Sequence, residues 1–154
     1  MKIRLAAAAG TVAAAAVGTL GTDPQSSWYR ALGKPRWQPP ALAFPIAWTA
    51  LYALIGYGAG QALEAEADPQ RRRDLALVFA ADLAANAGWC WMFFTARKTG
   101  RAVGVIGVLD LLNVELVRRA WRADRSAGLA LLPYTGWTAF ATALNADIWR
   151  RNRA

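Results

Sequence analysis

The sequence predicts an all-α membrane protein, a bundle of five transmembrane helices with a long structured first loop. Apolar residues make up 56% of the 154 residues, and they occur in blocks instead of the periodic stripes of soluble amphipathic helices. Most of the charged residues stand between these blocks. The hydrocarbon core of a bilayer is about 30 Å thick, which about 20 apolar residues span as a helix. By its length the chain, residues 1–154, is a single domain.

The first block predicts a helix over residues 3–20, directly after the cations Lys2 and Arg4. Its alanine-rich composition is also typical of a signal peptide. The apolar run from Leu5 to Leu20 is longer than the usual apolar core of a signal peptide, which has about 7–15 residues. We therefore predict a retained helix.

Four further blocks predict helices over residues 41–63, 75–96, 102–120 and 127–149. Residues 41–63 carry no charge at all, residues 75–96 and 127–149 carry one each, and residues 102–117 carry two. The block that starts at Ala102 is the shortest, and it is long enough to span if the flanking arginines extend to the interface. These segments predict an integral, multi-pass membrane protein.

The loop between the first two predicted helices, residues 21–40, shows no helical periodicity. It combines Pro35, Pro39 and Pro40 with the aromatic residues Trp28, Tyr29 and Trp37. The prolines stiffen it and the aromatic rings favour burial, so it is predicted to lie as a lid on one end of the bundle. An interfacial belt, in which the rings only anchor helix ends, explains the same composition.

The cations stand at the ends of the apolar blocks, as is typical of membrane-interface anchoring. The net charge of +8 therefore predicts a lipid surface and no nucleic-acid partner. The 18 Lys and Arg residues divide equally between the two predicted sides, so their count gives no orientation. The chain has no histidine and only Cys90, which excludes an intrachain disulfide, a His-ligated haem and a His-based triad, and no metal site is expected.

Spacings of three and four residues place aromatic and polar side chains on one face of four predicted helices. These residues are Phe44, Trp48 and Tyr52, then Asp82, Asn86, Trp89 and Phe93, then Asp110 and Asn113, and finally Trp137, Ala141 and Asn145. Rings with a few amides suit a planar hydrophobic ligand. The alternative is that Asn86 and Asn145 only bond a neighbouring helix. Asp110 and Glu115 are expected to be structural.

Small residues recur every four positions on two helices. Gly56 and Gly60 form one such face, and Ala80, Ala84 and Gly88 form another. Faces of this kind allow close helix contact, either inside the bundle or between two copies of the chain.

Three longer motifs extend over nearly the whole chain. W-Y-x-x-L-x-K-P-x-W-x-P-P is formed by residues 28–40 and continues into Phe44, Pro45, Trp48, Leu51 and Tyr52. The element N-x-x-W with F-F is formed by Asn86, Trp89, Phe93 and Phe94, and P-Y-x-x-W-x-x-F-A-x-x-L-N by residues 133–145. With these motifs the chain resembles the TspO/MBR family, the tryptophan-rich sensory or translocator proteins, also called peripheral benzodiazepine receptors.

The resemblance implies a five-helix bundle, commonly a homodimer, with a pocket under the first loop. In the family this pocket binds porphyrins and synthetic isoquinoline carboxamide and benzodiazepine ligands. The pocket and lid residues that it implies are Trp28, Tyr29, Trp37, Phe44, Trp48, Asn86, Trp137 and Asn145. Trp48 and Trp137 correspond to the pair that the family associates with light-dependent porphyrin breakdown. No cofactor is required, and protoporphyrin IX or a haem-like tetrapyrrole is the expected ligand.

One departure from the family concerns sterols. Animal members carry a tyrosine after the L-N pair as part of a cholesterol-recognition pattern, whereas this chain has Ala146 there, followed by Asp147. Such patterns are weak indicators even when complete. Specific cholesterol binding is therefore doubtful for this chain.

The resulting hypothesis is a membrane receptor or sensor for porphyrin-type tetrapyrroles. Its expected ligand-binding residues are Trp28, Tyr29, Trp37, Phe44, Trp48, Tyr52, Asn86, Trp89, Phe93, Trp137, Ala141 and Asn145. One alternative is an enzyme that degrades porphyrin in light, with Trp48 and Trp137 as reaction partners, because the chain offers no conventional acid–base or nucleophilic site. The other alternative is a transporter of tetrapyrroles or other hydrophobic ligands. The cations Arg30, Lys34 and Arg36 can attract either porphyrin propionates or lipid headgroups.

Overall fold

The computed structural model describes residues 1–153, and these contain helices and no strand. The helices are α1 (Lys2–Leu20), α2 (Ser27–Ala31), α3 (Ala43–Ala65), α4 (Pro69–Cys90), α5 (Thr99–Ala123) and α6 (Arg125–Asn152). Five of them are long, and α2 is a single short helix within the first loop. The chain is all-helical, as predicted.

Two of the helices begin at aspartates that cap them. The Asp68 carboxylate accepts a hydrogen bond from the Arg71 amide over 2.8 Å, and Pro69 opens α4 in the first helical position. The Asp124 carboxylate accepts one from the Ala127 amide over 2.8 Å. The cap at Asp68 starts α4 six residues before the apolar block that predicted it, because the capping signal and the change of composition do not coincide.

The end of α4 continues as one π-helical turn, Trp91–Thr95. The Ala96 amide donates to the Trp91 carbonyl over 2.8 Å, five residues back. The turn is joined to α1, since the indole N–H of Trp91 donates to the Val17 carbonyl over 2.9 Å and the Thr95 hydroxyl to the Gly21 carbonyl over 2.9 Å.

The interior lies between α1, α3, α4, α5 and α6. Ile55, Leu116 and Leu131 are fully buried and belong to one apolar cluster formed by all five long helices. The small-residue face of α3 contacts α1: a Cβ added to Gly56 would lie 3.6 Å from the Ala8 Cα, and one added to Gly60 would lie 3.2 Å from the Arg4 Cα. The small-residue face of α3 therefore permits the close contact between α3 and α1 of the same chain.

The long helices alternate in direction, which gives the molecule two distinct ends. At one end, the lid end, the Gly33 amide donates to the Asn152 side chain over 2.9 Å, and the Asn152 amide donates back to the Gly33 carbonyl over 3.0 Å. At the opposite end the Arg4 guanidinium pairs with Glu64. The first loop thus lies against the C-terminus of α6, and it contains α2, which the sequence did not predict.

Two helices are long and apolar enough to cross a membrane, α1 and the continuous helical segment Pro69–Thr95. The other three long helices do not combine sufficient hydropathy with few enough charged residues. In α3 the cause is its content of Trp, Tyr, Pro and Gly, and α5 and α6 carry charged and polar residues. Composition alone therefore supports two spanning helices.

Candidate functional site

Most of the aromatic residues at the lid end form two clusters of rings. The α3–α6 ring cluster consists of Trp37, Phe44, Trp48, Tyr52, Tyr134, Trp137 and Phe140. At its centre the rings of Trp48 and Trp137 lie 6.5 Å apart between centroids, at 83° to each other. Both indoles are only partly buried, so they present ring surface at the contact between α3 and α6.

The second group, the α4 ring cluster, joins the lid to the end of α4. Its members are Trp28, Tyr29, Trp89, Phe93 and Phe94. Phe93 is 2% exposed, and the rings of Trp28 and Tyr29 pack edge-on against it at 5.9 and 6.3 Å. The aromatic side chains of α2 thus cover the end of α4, which favours the lid interpretation over a belt that only anchors helix ends.

The lid carries the cations that the sequence placed near the site. The Lys34 ammonium lies 4.4 Å from the centre of the Tyr29 ring and also donates a hydrogen bond to the Tyr29 carbonyl. Partial desolvation lowers the pKa of Lys34. Lys34 therefore stabilises the lid itself, whereas Arg30 and Arg36 are exposed.

A chain of buried hydrogen bonds leads from the α3–α6 ring cluster into the bundle. The Tyr52 hydroxyl donates to the Asn86 side-chain oxygen Oδ1 over 2.9 Å, and the Asn86 side-chain nitrogen Nδ2 donates to the Tyr134 hydroxyl over 2.9 Å. The Tyr134 hydroxyl donates in turn to the Asp82 carboxyl over 3.0 Å. Asn86, on α4, is 2% exposed. Because its side chain bonds Tyr52 of α3 and Tyr134 of α6, it joins three helices and fixes the position of the Tyr52 hydroxyl.

Asn145 has a similar role on α6. Its amide oxygen accepts the indole N–H of Trp89 over 3.0 Å, and its amide N–H donates to the Thr99 carbonyl over 3.1 Å. Ala141 packs against Ile106 and Leu109 of α5. Of the three predicted α6 residues, only Trp137 has a ring and belongs to the α3–α6 ring cluster. Each step of four residues turns the side chain by about 40° around the helix, and Ala141 and Asn145 contact α5 and α4 instead.

The acidic residues of α5 have partners within the chain. The Thr142 hydroxyl donates to Asp110 over 2.7 Å. Arg118 and Arg119 both bond Glu115, with 2.6 Å between the Arg119 Nε and a carboxylate oxygen. These contacts are those of structural residues, as expected. Among residues 1–153 no three His, Cys, Asp or Glu side chains come together in a way that could hold a metal ion.

An apolar groove of about 340 Å³ lies between α3 and α6, next to the α3–α6 ring cluster. It is lined by Ala47, Ala50, Leu51, Leu54, Pro133, Gly136, Trp137 and Phe140. The Trp137 ring therefore contacts Trp48 and also lines this groove. Small side chains on both helices leave the space that makes its ring accessible from this side.

Sequence reasoning missed Tyr134, Phe94 and Phe140 as members of the site. Tyr134 is fully buried and occupies the centre of the hydrogen-bond chain. A signal was available, because Tyr134 and Trp137 are three residues apart and so share a helix face. The short helix α2 also had a signal, since the Ser26 side chain accepts a hydrogen bond from the Tyr29 amide over 3.3 Å as an N-cap does.

A comparison with known families identifies the group to which the chain belongs. The family model described as TspO/MBR family matches residues 6–150, nearly the whole chain. The chain belongs to the TspO/MBR family. The members of this family are membrane sensory and translocator proteins, so this TspO/MBR chain is a membrane protein of that group.

Individual relatives match this TspO/MBR chain over most of its length. The tryptophan-rich sensory protein of Cereibacter sphaeroides is 36% identical over 126 residues, which cover 81% of this chain and 77% of the relative. Protein CrtK of Rhodobacter capsulatus is 35% identical over 147 residues, 92% of this chain and 89% of the relative. The human translocator protein is 33% identical over 131 residues, 81% of this chain and 75% of the relative.

Proposed function

We propose that this TspO/MBR protein is a multi-pass membrane receptor or sensor that binds a porphyrin-type tetrapyrrole at the α3–α6 ring cluster. The observation that carries the proposal is the pair Trp48 and Trp137, whose partly buried rings meet at 6.5 Å between centroids beside an apolar groove. Two large π-surfaces set at a steep angle offer a flat apolar ligand one ring to stack on and another to meet edge-on.

The proposal assumes that all five long helices cross the bilayer. Large apolar side chains are exposed on each of them: Val12 on α1, Ile46 on α3, Leu77 on α4, Leu111 on α5 and Leu129 on α6. Leu111 is 73% exposed and Ile46 is 70% exposed. Soluble monomers rarely expose apolar surface on every side, whereas lipid tails solvate it without cost.

The charge distribution supports an anionic ligand that enters at the lid end. Both ends carry the same number of Lys and Arg residues, but the acidic residues are divided unequally. At the lid end the acidic residues are Asp23 and Asp147, whereas the opposite end holds Glu64, Glu66, Asp68, Asp74, Glu115 and Asp124. The excess of positive charge beside the rings suits a ring system that bears propionates.

Within this proposal the two buried asparagines position rings and do not contact the ligand. The Asn86 side chain accepts a hydrogen bond from the Tyr52 hydroxyl, and the Asn145 side chain accepts one from the indole N–H of Trp89. The α4 ring cluster then forms the wall of the proposed binding site next to the lid. Homodimer formation is a further part of the proposal: Ala80, Ala84 and Gly88 are exposed on α4, and a Cβ added to Gly88 would meet nothing within 4 Å.

The test is a tryptophan-fluorescence titration of the purified protein in detergent with protoporphyrin IX in the dark. We expect saturable quenching and an at least tenfold weaker affinity for Trp48→Leu. The matched control is Trp121→Leu, which makes the same change at the opposite end of the molecule. Quenching that does not saturate, or equal loss in both variants, would show that porphyrin only partitions into the micelle.

A second candidate function is light-dependent degradation of the bound porphyrin, and the close contact of the two indoles favours it, because both lie at the proposed ligand surface. The porphyrin supplies the photochemistry, and the protein supplies binding and oxidisable rings. Trp48→Phe and Trp137→Phe are expected to keep dark binding and to stop the light-dependent loss of the porphyrin absorption band. Unchanged loss of the band in both variants would eliminate this mechanism.

A further inference from the structure

A second cavity lies at the end opposite the lid, far from the ring clusters. It has a volume of about 270 Å³ and is formed where α3 ends, α4 begins and α5 ends. Its lining consists of Ala65, Glu66, Ala67, Arg71, Leu75, Arg119, Arg122 and Ala123. Small alanine side chains at the helix ends leave the space, and Leu75 forms an apolar wall.

Three guanidinium groups and a single carboxylate line this cavity. The carboxylate is already engaged, because Glu66 accepts the Asp68 amide over 3.1 Å and lies 3.4 Å from the Arg71 Nε. Arg119 is held by Glu115 at 2.6 Å and lies 3.6 Å from Asp74. Two of the three guanidinium groups, those of Arg71 and Arg119, are therefore paired with carboxylates.

Arg122 differs from the other two arginines. It makes no hydrogen bond or ion pair with any of residues 1–153, although it is the last-turn cation of α5 and lines the cavity. An exposed guanidinium without an anionic partner, beside two others, can bind an oxyanion with several oxygens, since each guanidinium can donate two parallel N–H bonds.

We propose that this cavity binds a phosphate group, either of an anionic phospholipid headgroup or of a soluble phosphate. The cavity lies at a helix-end position, where a bundle that crosses the bilayer meets the headgroup layer, and basic pockets between helices bind phospholipid headgroups there. Arg122 and Arg71 contact the phosphate oxygens, Arg119 adds positive charge from the side of α5, and Leu75 contacts the adjoining apolar part of a lipid. The proposed porphyrin site is at the other end, so the two proposals are independent.

The experiment uses the full chain, freed of bound lipid in a non-ionic detergent, and measures retained lipid by native mass spectrometry. The probes are dioleoyl phosphatidylglycerol and dioleoylglycerol, which has the same acyl chains but no phosphate. We expect one phosphatidylglycerol per chain and no retention of dioleoylglycerol. Arg122→Gln is expected to reduce retention at least fivefold.

The matched control is Arg118→Gln, which removes the same charge from the same end of α5. Arg118 bonds Glu115 and does not line the cavity, so retention is expected to change less than twofold. A second variant, Ala67→Phe, fills the cavity without changing any charge and is expected to reduce retention as Arg122→Gln does. Circular dichroism confirms that each variant is folded.

The outcomes separate the sources of the phosphate. Displacement of the lipid by millimolar inorganic phosphate supports a site for the phosphate group from either source, and lipid retention that inorganic phosphate does not affect assigns the site to a headgroup. Equal losses in Arg122→Gln and Arg118→Gln, or unchanged retention in Ala67→Phe, would overturn the proposal, because binding would then follow the general surface charge.

Discussion

The indole N–H of Trp89 donates a hydrogen bond to the amide oxygen of Asn145 over 3.0 Å and so joins α4 to α6. Trp89 also packs against Phe93, at 5.6 Å between ring centroids. The position of one ring of the α4 ring cluster therefore depends on an amide of another helix. The stability of the lid end and the shape of the candidate site are coupled through this contact.

Asn145→Ala is expected to destabilise the protein by about 1–2 kcal/mol, because it leaves the N–H of Trp89 without an acceptor. Reversible unfolding in mixed micelles measures the effect. In a double-mutant cycle with Trp89→Phe, we expect a coupling energy of at least about 0.5 kcal/mol. Strictly additive effects would mean that the two side chains do not depend on each other.

Tyr134→Phe is expected to be more destabilising than Tyr52→Phe. Tyr134 is fully buried and its hydroxyl bonds both Asn86 and Asp82, whereas the partly buried Tyr52 bonds only Asn86. Loss of the Tyr134 hydroxyl leaves two buried polar groups without this partner, at a cost of about 1–3 kcal/mol. Both variants remove one tyrosine hydroxyl and nothing else, so each is the control for the other in the same unfolding experiment. The reverse order would contradict the assignment of Tyr134 as the centre of the chain.

Gly128→Ala on α6 is expected to destabilise the protein by about 1–3 kcal/mol. The added Cβ would lie 2.9 Å from the Trp121 Cα, a backbone atom that cannot move aside as a side chain can. Gly136→Ala on the same helix is the control, because no atom lies within 4 Å of its added Cβ and alanine favours helix. Thermal unfolding in detergent should give a lower midpoint for the first variant and an equal or higher midpoint for the second. Equal midpoints would show that α5 and α6 are not in close contact at Gly128.

Asp124 predicts a loss of stability in acid. Hydrogen bonds from Ser126 and from the Ala127 amide lower the pKa of its carboxyl below the ordinary value of 3.8. A group whose pKa is lower in the folded state contributes stability above its ordinary pKa, and this contribution is lost as the pH falls through the folded-state value. Asp124→Asn keeps a capping side chain that does not titrate. The variant should match the wild type at pH 7 and lose less stability than the wild type below pH 3.8; parallel profiles would contradict the capping role.

Asn152→Ala is expected to loosen the lid without unfolding the bundle. Its side chain makes the paired hydrogen bonds to the backbone of Gly33. Other contacts of the lid include the rings of Trp28 and Trp37 and the Thr95–Gly21 hydrogen bond. Hydrogen–deuterium exchange of residues 21–42 should become faster, while α5 remains protected. Arg153→Gln, next along the chain, is the control, since Arg153 lies over the Trp149 ring at 5.2 Å. If both variants exchange alike, the Gly33–Asn152 contact does not hold the lid.

Several elements of the fold could be predicted from composition. Apolar blocks of about 20 residues predicted the five long helices, and the prolines and aromatic rings of residues 21–40 predicted the lid. The start of α4 was placed too late, because Asp68 and Pro69 cap the helix within a polar stretch that composition assigned to a loop. The helix α2 was missed, since its capping serine lies among residues without apolar periodicity.

The sequence by itself determined the all-helical class, the family and most of the aromatic and amide residues at one end of the bundle. Only the tertiary structure decided which of them meet. Trp137 joins Trp48, Ala141 packs on α5, and Asn145 bonds Trp89, although a spacing of four placed the three α6 residues on one face. The physical reason is that a helix turns by 100° per residue and meets several neighbours at once. The partner of each side chain is then set by the crossing and axial shift of the neighbouring helices, which no periodicity within one segment encodes.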